Sequence, residues 1–370
     1  MSAQTGPNYD TSFLFDATII GAGPAGLSAA LALYRMKRPT VAFSDGEFRS
    51  AKAHRAHTIL SRDDQPASEI RKIGREQIER YGSTRFVERR VCKARRDGNG
   101  FEVEDNQGEK WRAKKIVLAM DVRDAFPDVE VYAECWGQSI YQCLFCDGLE
   151  RADRPAAMLG SDSPMSLHFV GIMFHIGCPT VTILSNGQLK PPDEATAEAL
   201  KVAKASGAKV DERRIRKLVH HEDEQGTEVV FDDGDVLRIG FLQHTAPTHV
   251  VTLNLAEDLG GEKLPDGSGG TLLMTSQSSG ETNVEGVFVT GDAGVVMKHF
   301  ANAMALGVAA GAGVSFQLGK EEERELAKNL VEMNIRLAYG QTNQCDVTIL
   351  FQPVRGFSVS LREALYCVLV

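Results

Sequence analysis

The sequence lacks the surplus of positive charge expected of a protein that tracks a phosphate backbone: 41 Lys and Arg face 50 Asp and Glu, a net charge of −9. Nucleic acid is therefore a poor partner, and the one basic stretch, Arg85 to Arg96, alternates with Phe86, Val87 and Val91 like the solvated face of a strand. Cysteine is scarce as well. Seven in 370 residues are too few and too scattered for a disulfide scaffold, and the odd number leaves at least one thiol unpaired, as suits a reducing compartment. No uninterrupted apolar run approaches the about 20 residues that span a bilayer. Met1 to Asp16 carries neither a basic residue ahead of its short apolar stretch nor a small-residue cleavage pattern, so no secretory signal is expected. The expectation is a cytoplasmic protein with neither membrane nor nucleic acid among its partners. What remains is ordinary: 43% hydrophobic and 25% charged residues, in a length that suits two domains of roughly 150 residues each.

The order of elements repeats. Asp16 to Gly21 reads as a short strand, Ala25 to Met36 as a helix rich in Ala and Leu, and Thr40 to Phe43 as a second strand, together a βαβ unit. Arg85 to Arg96, Phe101 to Asp105 and Trp111 to Ala119 follow as strands, separated by the turn sequences Asp97-Gly98-Asn99-Gly100 and Asn106-Gln107-Gly108. The succession then returns. Ala156 to Leu159 is a strand, Pro164 to His175 a helix, Thr180 to Leu184 a strand and Ala195 to Ser206 a helix, before strands Ile215 to His220, Glu228 to Phe231 and Val236 to Phe241. Two halves, each a βαβ unit with a β-meander, predict an α/β protein of two Rossmann-like, dinucleotide-binding-type domains, the second inserted into the first. Pro127 and Pro247 punctuate the crossings, which puts the first domain in 1–122 and 247–319 and the insert in 123–246. Lys320 to Ala338 reads as a charged amphipathic helix, and residues 320–370 form a tail with no assigned role.

Gly21-Ala22-Gly23-Pro24-Ala25-Gly26 completes G-x-G-x-x-G between the first strand and its helix. The first glycine permits the tight turn, the second lets backbone approach a pyrophosphate, and the third lets helix pack close to strand, while the helix N-terminus faces the phosphates. Gly21, Gly23, Pro24, Ala25 and Gly26 are therefore dinucleotide-binding candidates, although the motif alone does not separate FAD from NAD. Asp45, just past the second strand, suits a ribose hydroxyl pair; Ser44-Asp45-Gly46 reads equally as a plain turn, and Glu47 competes for the role.

Far along the chain, Thr282, Gly286, Val287, Phe288, Gly291 and Asp292 spell T-x-x-x-G-V-F-x-x-G-D. This segment resembles that of the two-dinucleotide-domain flavoprotein disulfide oxidoreductases, whose aspartate holds the ribityl chain of FAD. The resemblance implies FAD as cofactor, with Gly291 and Asp292 in its site. A strand that merely ends in a Gly-Asp turn would not account for the glycine motif near the start of the chain. Met297 to Gly313, rich in Ala and Gly, reads as a helix aimed at the flavin, with Lys298 and His299 at its start either touching the flavin or, as the plainer expectation, simply exposed.

Cys143-Leu144-Phe145-Cys146-Asp147-Gly148 brings two thiols within disulfide reach, and a helix N-terminus beneath them would lower the pKa of one. Half of a zinc site and an inert pair are the alternatives; a second pair is lacking and Cys135 and Cys178 have no ligand spacing, so no metal is expected. The pair's position, after the first meander and before the second βαβ unit, resembles that of the active dithiol in low-molecular-weight thioredoxin reductases. The resemblance implies that Cys146 faces the flavin, that Cys143 exchanges with substrate and that Asp147 moves protons, in a homodimer. A carboxylate beside the pair suits that last task.

The second glycine loop departs from the pattern. Gly160-Ser161-Asp162-Ser163-Pro164-Met165 keeps only its first glycine: Asp162 would set a negative side chain where a pyrophosphate approaches, and Met165 would fill the helix-packing position. Ser185-Asn186-Gly187-Gln188 contains no arginine for a 2′-phosphate. The insert is therefore expected to be a degenerate NADPH-type domain. A flavin and a dithiol without pyridine nucleotide must draw electrons from thiols, with molecular oxygen as the simplest acceptor. This combination resembles the fungal thioredoxin-reductase-like dithiol oxidases of epidithiodioxopiperazine pathways, the gliotoxin-oxidase type, over about Phe15 to Leu318. Further likenesses are Arg49, His54 and His57, and the run Tyr132-Ala133-Glu134-Cys135-Trp136-Gly137. Two departures stand against them: Leu118-Ala119-Met120-Asp121 replaces the usual Ala-Thr-Gly, and Asp147 stands where such oxidases carry His. The resemblance implies an FAD-dependent oxidase that closes a disulfide in a small-molecule, secondary-metabolite dithiol, with O2 as acceptor and H2O2 as product. The alternatives are an NADPH-dependent thioredoxin-reductase-like disulfide reductase and a catalytically silent flavin protein that sequesters thiols.

Overall fold

Hydrophobic runs buried on both faces set the architecture. The computed structural model describes residues 10–340 apart from His54, 161–162, 222–225, Ser268 and 276–277. In chain order the first elements are β1 (Leu14–Ile20), α1 (Pro24–Arg35), β2 (Thr40–Phe43), α2 (Ala67–Glu79), β3 (Thr84–Val87), β4 (Val91–Asp97), β5 (Gly100–Asp105) and β6 (Lys110–Leu118). All of β1 after Leu14 is buried, as an interior parallel strand requires. It pairs in parallel with β2 on one side and β6 on the other; at its end Ile20 stands opposite both Phe43 and Leu118. The turn that leaves β1 thus opens at the carboxyl edge of the sheet, where α/β proteins place their ligands.

The chain leaves through β7 (Val122–Asp124) and, after the short α3 (Tyr132–Cys135), β8 (Ile140–Tyr141) and α4 (Leu144–Asp147), builds a second parallel sheet. Its further elements are β9 (Ala156–Leu159), α5 (Pro164–Ile176), β10 (Val181–Leu184), α6 (Glu194–Ala205) and β11 (Lys209–Asp211), then the meander β12 (Ile215–His221), β13 (Gly226–Phe231) and β14 (Val236–Ile239), and finally β15 (Phe241–Gln243). The strand order is β11-β10-β9-β15-β8. The chain returns through β16 (Thr248–Val250), which pairs antiparallel with β7, so the outgoing and incoming segments form one ribbon. After α7 (Leu253–Asp258) and the hairpin β17 (Lys263–Pro265) and β18 (Thr271–Leu273), β19 (Val287–Val289) adds to β6 in the first sheet. Helix α8 (Phe300–Gly340) follows. By internal contacts Met1–Leu318, which holds both sheets, is one compact unit and Gly319–Val370 another.

Several expectations are corrected. Arg85 to Arg96 is two strands, not one: β3 runs parallel beside β2, and β4 begins the antiparallel meander after a break at Glu88–Arg90. Val236 to Phe241 also divides, at Gly240, where the chain steps from the meander to the parallel sheet and the Gly240 N–H bonds Pro155 O at 2.7 Å. Helix α2 was missed because its apolar face is narrow, with only Ala67, Ile70 and Ile78 buried. The helices expected at Met297 to Gly313 and Lys320 to Ala338 are one element. That helix is long and apolar enough to cross a membrane by length and composition. Within the first unit, however, Ala303, Ala310, Val314 and Leu318 are buried with residues of α1, so this part belongs to the core. Thr342 to Val370 lies outside the described residues.

The first glycine loop is sterically specified. Gly21 has φ +105°, and a Cβ there would collide with the Ala119 carbonyl; a Cβ on Gly26 would collide with the carbonyl of Gly21. Gly23 has nothing nearer than Phe48 Cδ1, 4.0 Å from where its Cβ would lie. Gly26→Ala is therefore expected to cost at least about 2 kcal/mol through forced backbone movement, whereas Gly23→Ala, at a helix N-cap, should cost no more than about 1 kcal/mol. Urea unfolding midpoints of the two variants check the contrast.

Candidate functional site

The sequence candidates converge. Gly21, Gly23, Pro24, Ala25, Asp45, Cys143, Cys146, Asp147, Gly291 and Asp292 all line a single cavity of about 740 Å³, a size typical of cofactor sites. Gly26 does not line it and serves instead to seat α1 against the turn. Gly291, at φ +79°, lies so close to α1 that an added Cβ would be 2.9 Å from Ala25 Cβ, which brings the Gly-Asp turn to the helix start. Helix α1 begins at Gly23 with no side chain capping its first-turn amides. Such donors are orphaned by helix geometry, and Ala25, at the helix start, lies on the cavity wall, which fits a pyrophosphate.

The corresponding helix of the second sheet begins differently. Its N-cap is Ser163, whose hydroxyl accepts the Ser166 N–H at 3.2 Å. The helix starts at the fifth residue of its loop, one place later than α1, and so Met165 does not take the packing position: it is 69% exposed. Ser161 and Asp162 lie outside the described residues. At the next strand end, Asn186 accepts the Ile215 N–H at 2.8 Å, and Arg214 and Arg216 line a depression beside it. Local sequence missed these arginines because they arrive from β12 and its approach; Asp128, Glu130 and Asp232 share the depression.

Cys143 and Cys146 form a disulfide with Cα atoms 5.2 Å apart. The N–H groups of Cys146 and Asp147 both reach Cys143 O at 3.2 Å, and α4 beneath is a single four-residue turn, shorter than the helix expected there. The other described thiols are remote in kind. Cys92 is exposed, while Cys135 and Cys178 are buried in separate cores, where desolvation pushes the Cys135 thiol up and that of Cys178 to about 11. Neither buried thiol is a thiolate at neutral pH. Lys298 and His299 are not exposed as expected; both are half-buried in the cavity wall. A nitrogen of His299 and both sulfurs of the pair lie within 4.8 Å of one another. Burial and the nearby Arg49 cation push the Lys298 pKa down.

The residue that local sequence left without a role is Arg49. Its Nε and Nη2 reach the Asp124 carboxylate at 3.0 and 2.6 Å, its Nη1 reaches Asp292 at 2.9 Å, and Nη2 also contacts Gln142 Oε1. Burial opposes its charge, but Asp124, Asp292 and Asp121 outweigh that cost and raise its pKa. Asp121, the odd residue after Met120, accepts the Arg49 N–H at 2.9 Å and the Val122 N–H at 2.9 Å. Asp45 and Glu47 share Arg90, at 3.0 and 3.2 Å, so neither displaces the other.

Burial, and then the Asp292 carboxylate, lift the Asp121 pKa to about 6. Between its ordinary value and 6 the folded chain holds a proton that the unfolded chain has released, so this group's contribution to stability falls as pH rises through that window. Aspartate-labelled carbon NMR should show one carboxyl titrating near 6 that is missing from Asp121→Asn; uniformly ordinary midpoints would contradict the assignment.

Comparison with known proteins agrees with the fold. Residues 15–307 match the family described as pyridine nucleotide-disulphide oxidoreductase. The chain is 35% identical over 317 residues to thioredoxin reductase tcpT of Claviceps purpurea, covering 83% of this chain and 95% of that one. It is also 35% identical over 317 residues to thioredoxin reductase sirT of Leptosphaeria maculans, covering 82% and 94%. An oxidoreductase from Agrobacterium tumefaciens superposes with a TM-score of 0.75 at 30% identity, over 83% of this chain and 99% of that one. The glycine turn, the Gly-Asp turn and the dithiol on one cavity are thus those of a thioredoxin-reductase-like flavoprotein that binds FAD, and the chain belongs to the pyridine nucleotide-disulphide oxidoreductase family.

Proposed function

We propose that the protein is an FAD-dependent dithiol oxidase, which closes a disulfide in a small-molecule dithiol of the epidithiodioxopiperazine kind and delivers the electron pair to O2. One observation carries this reading: the dithiol opens onto the cavity of the uncapped α1 N-terminus, while the matching N-terminus of α5 is occupied by Ser163. The asymmetry supports a retained FAD site and a lost pyridine-nucleotide site. Residues 1–122 and 247–319 would form the FAD domain, 123–246 the degenerate NADPH-type domain carrying the dithiol, and 320–370 a tail, in a cytoplasmic homodimer.

The Ala25 amide would hold the pyrophosphate, with Gly23 leaving room for its approach and Pro24 costing no donor that the helix needs. Asp45 would take the adenosine ribose and Asp292, held by Arg49, the ribityl chain. FAD supplies the two-electron exchange that returns the cysteines to the disulfide and passes the pair to O2. The chain's own residues do the rest. A substrate thiolate attacks Cys143 Sγ, and the Cys143–Cys146 bond breaks with its pair on Cys146. The second substrate thiolate then attacks the substrate sulfur of the mixed disulfide, releasing cyclic disulfide and the Cys143 thiolate. Overall, dithiol and O2 become disulfide and H2O2. Asp147, on the wall of the same cavity, would exchange protons with this pair. Phe145, 69% exposed between the cysteines, and Leu149, 71% exposed just after them, support an apolar small substrate.

The relatives' name, thioredoxin reductase, favours a second reading, an NADPH-dependent disulfide reductase. Oxygen uptake separates the two. The purified yellow protein should consume O2 with small dithiols without NADPH, and Cys143→Ser or Cys146→Ser should lose at least about a thousandfold, the scale of removing an activated nucleophile. A strict NADPH requirement, with NADPH bleaching the flavin in stopped flow, would establish the reductase instead.

A further inference from the structure

We infer that His299 is a second proton-transferring residue of the dithiol site, beside Asp147, with Thr58 positioning it. His299 lies just ahead of α8, remote in sequence from the cysteines, yet one of its nitrogens comes within 4.8 Å of both sulfurs. Thr58 Oγ1 donates its one hydrogen to His57 O at 2.6 Å and is bonded to His299 Nε2 as well. The Thr58 hydroxyl thus engages the Nε2 edge of the ring and fixes its orientation. An imidazole placed beside a dithiol is a side chain suited to take up a thiol proton.

The loop presenting Thr58 is itself held in an unusual shape. Thr58, Ser61 and Asp64 have φ of +59°, +70° and +57°, and for a β-branched residue such as Thr58 this is a genuine outlier. Asp63 accepts the Thr58 N–H at 2.6 Å, and Arg55 donates to Asp64 O at 2.7 Å. His57 approaches Glu150, just beyond the dithiol, at 3.6 Å. Backbone strain of this sort persists only where surrounding contacts impose it, and it concentrates at functional sites.

This deepens the oxidase reading and rests on it for the chemistry. As the substrate thiol attacks Cys143 Sγ, its proton passes to the His299 imidazole, the new S–S bond forms, and the old pair leaves on Cys146. The imidazolium then stands beside the thiolates and steadies their charge.

Two measurements on the FAD-loaded protein and its reduced thiols test this. First, anaerobic flavin reduction by dithiothreitol is followed in stopped flow: His299→Ala should slow it by about a hundredfold or more, Thr58→Val by a smaller factor, and added imidazole should restore part of the rate to His299→Ala. Second, iodoacetamide alkylation of the chemically reduced Cys143 at neutral pH, a readout independent of any flavin reaction, should slow in His299→Ala. Circular dichroism and flavin content identify variants that fail to fold, and His299→Gln then serves as the smaller change. Unchanged alkylation, or reduction within twofold of the parent, overturns the role of His299. If the parent itself is not reduced by dithiols, the oxidase reading fails, and the alkylation result alone decides the role of His299.

Discussion

The whole cavity depends on one charge. The Arg49 guanidinium sits on the loop after β2 and reaches Asp124 on the crossing ribbon and Asp292 on the Gly-Asp turn, while its backbone N–H holds Asp121. These segments come from distant parts of the chain and are joined here by one rigid fork, a geometry that lysine cannot reproduce. Removing one partner from such a buried cluster typically costs about 3–5 kcal/mol, because the remaining charge is stranded. Three carboxylates surround this single cation, and at Asp121 burial first, and then the Asp292 carboxylate, lift the pKa to about 6.

The two βαβ units differ at their helix starts. Both bring a strand end, a turn and a helix N-terminus to the carboxyl edge of a parallel sheet. In the first, glycines make the turn tight, and the helix amides are left for something outside the chain. In the second, the helix starts one residue later in its loop and Ser163 satisfies the Ser166 amide internally. The packing of α5 on its sheet survives because Leu167, Val170 and Met173 bury its inner face whatever happens at the loop.

Much of this was legible in advance where the constraint is local. The alternation of buried runs with glycine turns marked β1, α1, β2 and most of the second half, and Cys143 and Cys146 declared themselves by spacing. The failures have physical causes. Glu88–Arg90 separates two strands that pair with different partners, and nothing local announces the change of partner. Helix α2 is mostly solvated and offers a thin apolar stripe. Lys298 and His299 look like ordinary helix-start polar residues until the fold folds them into the cavity wall.

Sequence by itself determined the chemistry that covalent spacing and local sterics can specify: a turn that only glycine tolerates, two thiols three residues apart, and a Gly-Asp turn after a buried strand. Tertiary structure alone decided which charges meet. Arg49 finds its three carboxylates, and His299 its hydroxyl and the two sulfurs, only after separate segments converge. The reason is range: backbone conformation is dictated by neighbours along the chain, whereas ion pairs and proton transfer depend on distances of a few ångströms between residues that sequence keeps far apart.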